Sequence, residues 1–416
     1  MKKRVGSLFT SLRFRDFRFL YEAQILSELG DWAARVALAL LVYDKTGSST
    51  LTAATVAMSM LPWLGLGQAL ATLADRYPRR TVMVLADVVR ATTFFGIAFA
   101  GPVWLILTLA FLAAIATPPF EAARAAMIPE VVSEDRYADA LTLSNITYQA
   151  VLVLGYMAGG GLVALVGARA ALMINAATFL LSGLLLLALR EGRASRPDSR
   201  MGASLREAVR MLTGDPFLRR AAILTTTASG AAIVGEALVA VYVREHLRTG
   251  TGSVGLLAAM VPIGTIIASA SVPRHGEIPR LLRASAVVVV LGGTGAAIGF
   301  LLEPGIVGSA LSYASLGAVF AVVIPAYSFV GPRLPAHIRG TAFSVLQGTL
   351  LGGQALGALV GGALAAVVGA PAATGFALLP AIAFAAYAVI VVPGARGELV
   401  QAGDQLSVPL PERPAG

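Results

Sequence analysis

Four sets of ionisable residues stand inside long apolar runs. Asp31 and Arg35 are four apart, Asp87 and Arg90 three apart, Glu121 and Arg124 three apart, and Glu236 has no opposite charge within four positions. On a helix those spacings put each pair on one face. A charge at a helix centre in hydrocarbon costs about 2.5–3.5 kcal/mol, so such groups face a partner or a watery path. Asp31 with Arg35 suits proton coupling or substrate contact: a proton reaching Asp31 from alternating sides would break the pair and convert its entry into a change of helix packing. A purely structural ion pair is the alternative. Glu236 is either a proton site or paired to another helix, and the other two pairs either extend a gate or neutralise themselves.

A further charged cluster, residues 71–80 (ATLADRYPRR), interrupts two apolar runs. Asp75 can sit at the positive N-terminus of a helix from elsewhere, while Arg76, Arg79 and Arg80 can pair with carboxylates or phosphates. Breaking those contacts would release a gate. Anchoring at the membrane surface accounts for Arg79 and Arg80 equally well, but not for Asp75.

The elements carrying these residues follow from composition. Of 416 residues 57% are hydrophobic and 13% charged, and the mean hydropathy is +0.78, which excludes a soluble globule. Apolar runs of the length a helix needs to cross a bilayer predict twelve spans. They are 17–43, 49–74, 80–99, 102–128, 138–166, 169–190, 217–243, 251–273, 281–302, 305–331, 339–368 and 371–393. The fold class is an all-α membrane protein of two six-helix bundles, 17–190 and 217–393, following an N-tail at 1–16. That tail is basic without an apolar core or cleavage site, so no signal peptide is expected. Segment 191–216 reads as a linker, where Ser204 and Glu207 have capping-box spacing and Leu205, Ala208, Val209 and Leu212 share one face. A short amphipathic helix on the membrane surface is expected there, a solvated helix being the alternative. The tail at 394–416 is expected to be disordered.

Only Lys45, Arg169, Arg244 and Arg248 fall in the loops opposite the N-tail, whereas the tail and linker are densely basic. Both termini are therefore expected in the cytosol of a plasma-membrane protein. The net charge of +9 reflects this bias and suits anionic lipid headgroups better than nucleic acid.

The halves repeat. Gly155, Gly159 and Gly160, with Val166-Gly167-Ala168, match Gly357, Gly361 and Gly362, with Val368-Gly369-Ala370, at a lag of 202 positions; Met60-Leu61-Pro62 and Met260-Val261-Pro262 lag by 200. Such a lag implies two bundles of parallel topology about an axis along the membrane normal. Glycines four apart groove one helix face and permit close packing. Gln24, Trp63, Asn145, Gln149, Gln347 and Gln354 are the polar or aromatic groups suited to a broad, mostly apolar ligand site, helix-to-helix hydrogen bonding being the alternative. Asn145 and Gln347 are equivalent under the repeat and could face one another across a central cavity.

Enzymatic readings find little. There is no Cys, and His246, His275 and His337 are far apart, so no metal site is expected. No lysine follows a glycine, which excludes a Walker A loop in this chain. No cofactor is expected, and energy must come from an ion gradient, the substrate gradient or another subunit.

With these features the chain resembles a major facilitator superfamily transporter over about residues 11–393. The family's loop between its second and third helices is Gly, three residues, Asp, Arg, one residue, Gly, Arg, then Arg or Lys. Asp75, Arg76, Arg79 and Arg80 match it, and Ala71 and Pro78 replace the glycines. Phe17-Arg18-Phe19-Leu20, Ser27-Glu28-Leu29-Gly30-Asp31, Pro118-Pro119-Phe120 with Ile128-Pro129-Glu130, and Asn175-Ala176-Ala177-Thr178-Phe179 resemble the macrolide-exporter-like, drug:proton antiporter branch, which also holds siderophore exporters. Antiporters of the family often place Pro where Tyr156 stands. The resemblance implies a monomeric, proton-coupled exporter of small hydrophobic or amphiphilic compounds working by alternating access. Uptake, symport or facilitated passage of a metabolite, siderophore or lysolipid is the alternative, and a non-transporting sensor or scramblase is one of another class.

Overall fold

A computed structural model describes residues 9–64, 66–190, 201–272, 278–302, 305–323 and 334–391. Regular structure among them is helical throughout. The first half holds α1 (Arg15–Thr46), α2 (Ser49–Met60), α3 (Leu66–Ala71), α4 (Leu73–Arg76), α5 (Arg79–Phe99), α6 (Val103–Ile115), α7 (Thr117–Val131) and α8 (Glu134–Leu187). After α9 (Met201–Gly214), the second half holds α10 (Pro216–Val241), α11 (Gly252–Ser271), α12 (Ile278–Leu301), α13 (Ile306–Phe320), α14 (Ala336–Val368) and α15 (Ala370–Val391). Taking broken pieces together and α8 as two arms, these make twelve crossings in two six-helix bundles. Eight described helices are long and apolar enough to cross a membrane, α8 counting as one of them and α6 with α7 as another. The rest are the charge-bearing α1, the broken second crossing and the shorter α13. Helices are the economical solution in hydrocarbon because each backbone group is satisfied inside its own segment.

The second and fourth crossings, expected as continuous runs, are interrupted. Pro62 sits in a single 3-10 turn, Leu61–Trp63, between α2 and α3. The α6/α7 break at Ala116 precedes Pro118 and Pro119. Proline lacks the N–H that continues the ladder and crowds the preceding turn.

The two arms of α8 meet at Gly167, with φ 82°, and α14 passes to α15 through Gly369, with φ 84°. Only glycine enters that region without strain. The same turn thus recurs at the repeat lag, on the face away from the linker.

Packing repeats too. A Cβ on Gly159 would lie 2.6 Å from the Ala33 carbonyl oxygen, and one on Gly155 2.6 Å from the Trp32 Cβ, so α8 lies directly on α1. In the second half Gly357 packs on Gly230 and Gly361 on Val234, joining α14 to α10. Gly160 meets Gly255 of α11, where a Cβ would be 2.8 Å from the Gly255 Cα; Gly362 meets Ala53 of α2, its Cβ 2.6 Å away. These last two contacts join the halves and map onto each other under the 202-residue lag. In the linker, α9 buries Ala208 and Leu212 with Leu218, Leu334 and Leu346, so part of its apolar face packs on the second bundle.

Candidate functional site

Toward the linker end of the first half, α1 and α7 share a polar network. Gln24 donates to Glu28 at 3.0 Å, Arg124 donates to Gln24 at 3.0 Å, and Arg124 also donates to Glu121 at 2.6 and 3.1 Å. Gln24, expected among substrate contacts, is buried and engaged here. Glu28 was missed by sequence reasoning although it lies three residues before Asp31. Its Oε2 is buried without a hydrogen-bond partner among the described residues. A carboxylate four residues after a buried glutamine on the α1 face shared with α7 was the available signal.

Farther along α1 the site spans both halves. Asp31 and Arg35 pair at 3.8 Å, beyond hydrogen-bond reach. The Arg35 guanidinium stacks 4.1 Å from the Trp32 ring. Trp32 in turn sets its edge against Tyr156 at 5.2 Å and Tyr148 at 6.2 Å. The Tyr156 hydroxyl donates to Glu236 on α10, so Glu236 is paired to another helix and, specifically, to one from the other half. Asp31 and Glu236 both act electrostatically on Arg35. One guanidinium therefore lies in the field of carboxylates from two halves that share no covalent connection nearby.

Asp31, Arg35 and Trp63 line a cavity of about 70 Å³ among the first-half crossings, together with Arg90 and Phe94. Arg90 thus lines the same cavity as Asp31. It donates to Asp87 at 2.5 Å and lies 4.1 and 4.6 Å from the Phe120 and Phe179 rings, which lets a cation persist there.

In the charged turn, Arg76 is exposed, and the Asp75 side chain lies outside the described residues. Arg79 is buried, pairs with Glu130 at 2.5 Å and donates to the Ala126 carbonyl at 2.8 Å. Arg80 donates to the Leu189 carbonyl at 3.0 Å. These contacts brace the turn against α7 and the end of α8, all inside the first half. The corresponding second-half turn, residues 273–277, lies outside the described residues.

The opposite face, here the distal face, carries polar ties between the halves. Tyr43 donates to Glu245 at 2.7 Å and Arg244 to Asp44 at 2.8 Å, while Ser49 and Thr50 donate to the Gly362 carbonyl at 3.0 and 3.2 Å. A π turn, Tyr242–Leu247, ending at Arg248 with φ 52°, presents Arg244 and Glu245, and such turns concentrate at functional positions. Sequence reasoning counted Arg244 only as a loop charge. The overlooked signal was that Tyr43 and Glu245 are one repeat lag apart, because residues equivalent under a twofold meet when they lie near its axis.

Of the remaining expected cavity residues, Asn145 and Gln347 are exposed, Gln149 is half-buried and Gln354 is buried.

A family model described as Major Facilitator Superfamily matches residues 21–352. The chain is 26% identical over 361 residues to the uncharacterized MFS-type transporter YfiS of Bacillus subtilis (strain 168), covering 84% of this chain and 87% of that one. It is 28% identical over 367 residues to the multidrug efflux pump Tap of Mycobacterium tuberculosis (strain ATCC 25618 / H37Rv), covering 83% and 86%. Among solved structures, a bacterial homolog of the human lysosomal transporter Spinster, inward-facing and unoccupied, superposes with a TM-score of 0.72 at 16% identity, covering 93% of this chain and 98% of that one.

Proposed function

The chain belongs to the Major Facilitator Superfamily, and from that membership we propose that it exports small hydrophobic or amphiphilic compounds in exchange for protons, by alternating access across the plasma membrane. The observation that carries this reading is that carboxylates from both halves act on Arg35: Asp31 at 3.8 Å, and Glu236 electrostatically while the Tyr156 hydroxyl donates to it. Protonating Asp31 weakens its hold on Arg35 and leaves Glu236 as the guanidinium's remaining anionic attraction, which favours a different packing of α1 against α10. Likeness to a multidrug efflux pump supports the direction and the substrate class. The basic linker face is assigned to the cytosol by its Lys and Arg excess. In this assignment the described conformation is closed to the outside by the distal ties, and Arg79 and Arg80 stiffen the cytosolic end of the first bundle. Arg90 serves the Asp31 cavity.

Uptake or facilitated passage is the second reading, favoured by Tyr156 standing where antiporters of the family often have Pro. Liposomes with an imposed pH gradient separate the two. The exporter reading expects proton release evoked by lipophilic cations, lost in Asp31→Asn. Substrate flux without proton movement in the parent protein would favour facilitation, and coupling that survives Asp31→Asn would remove Asp31 from the mechanism.

A further inference from the structure

The linker helix α9 (Met201–Gly214) buries only part of its apolar surface. Ala208 and Leu212, one turn apart, pack with Leu218, Leu334 and Leu346 at the linker-side ends of α10 and α14. Leu205 and Val209, also one turn apart, remain 39% and 42% exposed. At about 100° per residue the stripe of Leu205 and Val209 runs beside the packed one, and a third stripe, Arg206 with Arg210, runs next beyond it. Both arginines are exposed. Around the helix the order is therefore packed apolar, open apolar, basic.

Level and charge together say what covers the open stripe. Only Asp215 separates α9 from α10, and its carboxylate accepts from the Leu218 amide at 3.0 Å, which caps α10 and fixes the joint. The crossing made by α10 begins at that same Leu218. The end of α9 is thereby held at the height where hydrocarbon gives way to headgroups. As to charge, residues 201–220 carry four arginines against two carboxylates. The guanidinium groups of Arg206, Arg210 and Arg220 make no hydrogen bond or ion pair among the described residues, and Arg219 gives one nitrogen to the Thr213 carbonyl at 3.3 Å. Glu207 lies on the far side of α9 from the open stripe, about half a turn round. An arginine beside an apolar stripe lays its stem along hydrocarbon and sets its head among phosphates.

We propose that α9 is a docking surface for anionic phospholipid of the linker-side leaflet, with Leu205 and Val209 sunk at the headgroup boundary and Arg206 and Arg210 on headgroup phosphates. An acidic protein segment would satisfy the arginines, but it would give no reason for α9 to be anchored where a crossing begins. The surface is separate from the ion pairs around Arg35, so its failure and the failure of the exporter reading are independent.

The test places spin labels on the full chain, which has no native cysteine, reconstituted in phosphatidylcholine bilayers with or without phosphatidylglycerol. One label sits at Val209→Cys. The other sits at Gly214→Cys, on the opposite side of α9, where a side chain meets nothing within 4 Å. Collision with oxygen reports hydrocarbon, and collision with a water-soluble nickel chelate reports solvent. With phosphatidylglycerol present, the Val209 label is expected in hydrocarbon and the Gly214 label in water. Each arginine is worth about fivefold in binding an anionic surface, so Arg206→Gln with Arg210→Gln should lower the immersed-to-exposed ratio at Val209 about twenty-five-fold. High salt should act in the same direction. If Val209→Cys does not fold, Leu205→Cys carries the same measurement. A Val209 label as open to the chelate as the Gly214 label overturns the docking surface, leaving a solvated helix or one that meets a protein. Immersion that is equal in neutral lipid and in the arginine variant overturns the assignment to anionic lipid.

Discussion

Tyr43 and Glu245, separated by 202 positions of sequence, meet hydroxyl to carboxylate at 2.7 Å, beside the Arg244 to Asp44 ion pair at 2.8 Å. These ties join the halves at the distal face through side chains that are partly exposed, 32% for Arg244 and 48% for Asp44. An exposed pair contributes about 0.2–1 kcal/mol, enough to bias two conformations without locking either.

Asp44→Ala or Arg244→Ala is therefore expected to raise the distal-open population about two- to fivefold. The chain has no native cysteine, so spin labels on Thr46→Cys and Gly250→Cys report the separation of the halves directly. Identical distance distributions with and without the pair would show that it is not a latch.

Tyr156→Phe removes the hydroxyl that joins α8 to Glu236 while keeping the ring against Trp32. Proton-coupled transport of a lipophilic cation should fall about tenfold, the worth of a charge-assisted hydrogen bond, with little change in melting temperature. Glu236→Gln should fall with it, and the double variant no further, because the two act as one unit. Additive losses would separate them.

At Gly160 a side chain would enter the Gly255 backbone, 2.8 Å from the first added carbon, whereas at neighbouring Gly161 it would meet nothing within 4 Å. Gly160→Val should lower stability by about 1–3 kcal/mol through overpacking, and Gly161→Ala should be silent. Melting curves in detergent compare the two, and equal effects would mean that the close approach contributes nothing.

Glu130→Gln takes the carboxylate from Arg79, which keeps its bond to the Ala126 carbonyl. A loss of about 1 kcal/mol is expected, read as earlier proteolysis of the turn at 75–80. Unchanged cleavage would reduce the Arg79–Glu130 pair to a surface contact.

The crossings and the internal repeat were legible because hydropathy and glycine spacing are local or periodic. The pairs Asp31–Arg35, Asp87–Arg90 and Glu121–Arg124 were legible for the same reason, each being one helical turn apart. What could not be read was a partner set by tertiary packing and not related to its mate by the repeat lag. Glu236 finds Tyr156 eighty residues away, and Arg79 finds Glu130 on another helix. The breaks after Met60 and Ile115 were hidden differently: apolar composition is blind to a proline's missing donor, so Pro62 and Pro118 passed as parts of continuous spans.

Gly160 against Gly255 and Gly362 against Ala53 are two bearings set on either side of the pseudo-twofold axis. Two points fix a line, and bodies packed this closely at both can tilt about that line far more readily than they can slide or separate. The small residues at these contacts thus act as an axle, and the distal ties work at one end of the lever that turns on it.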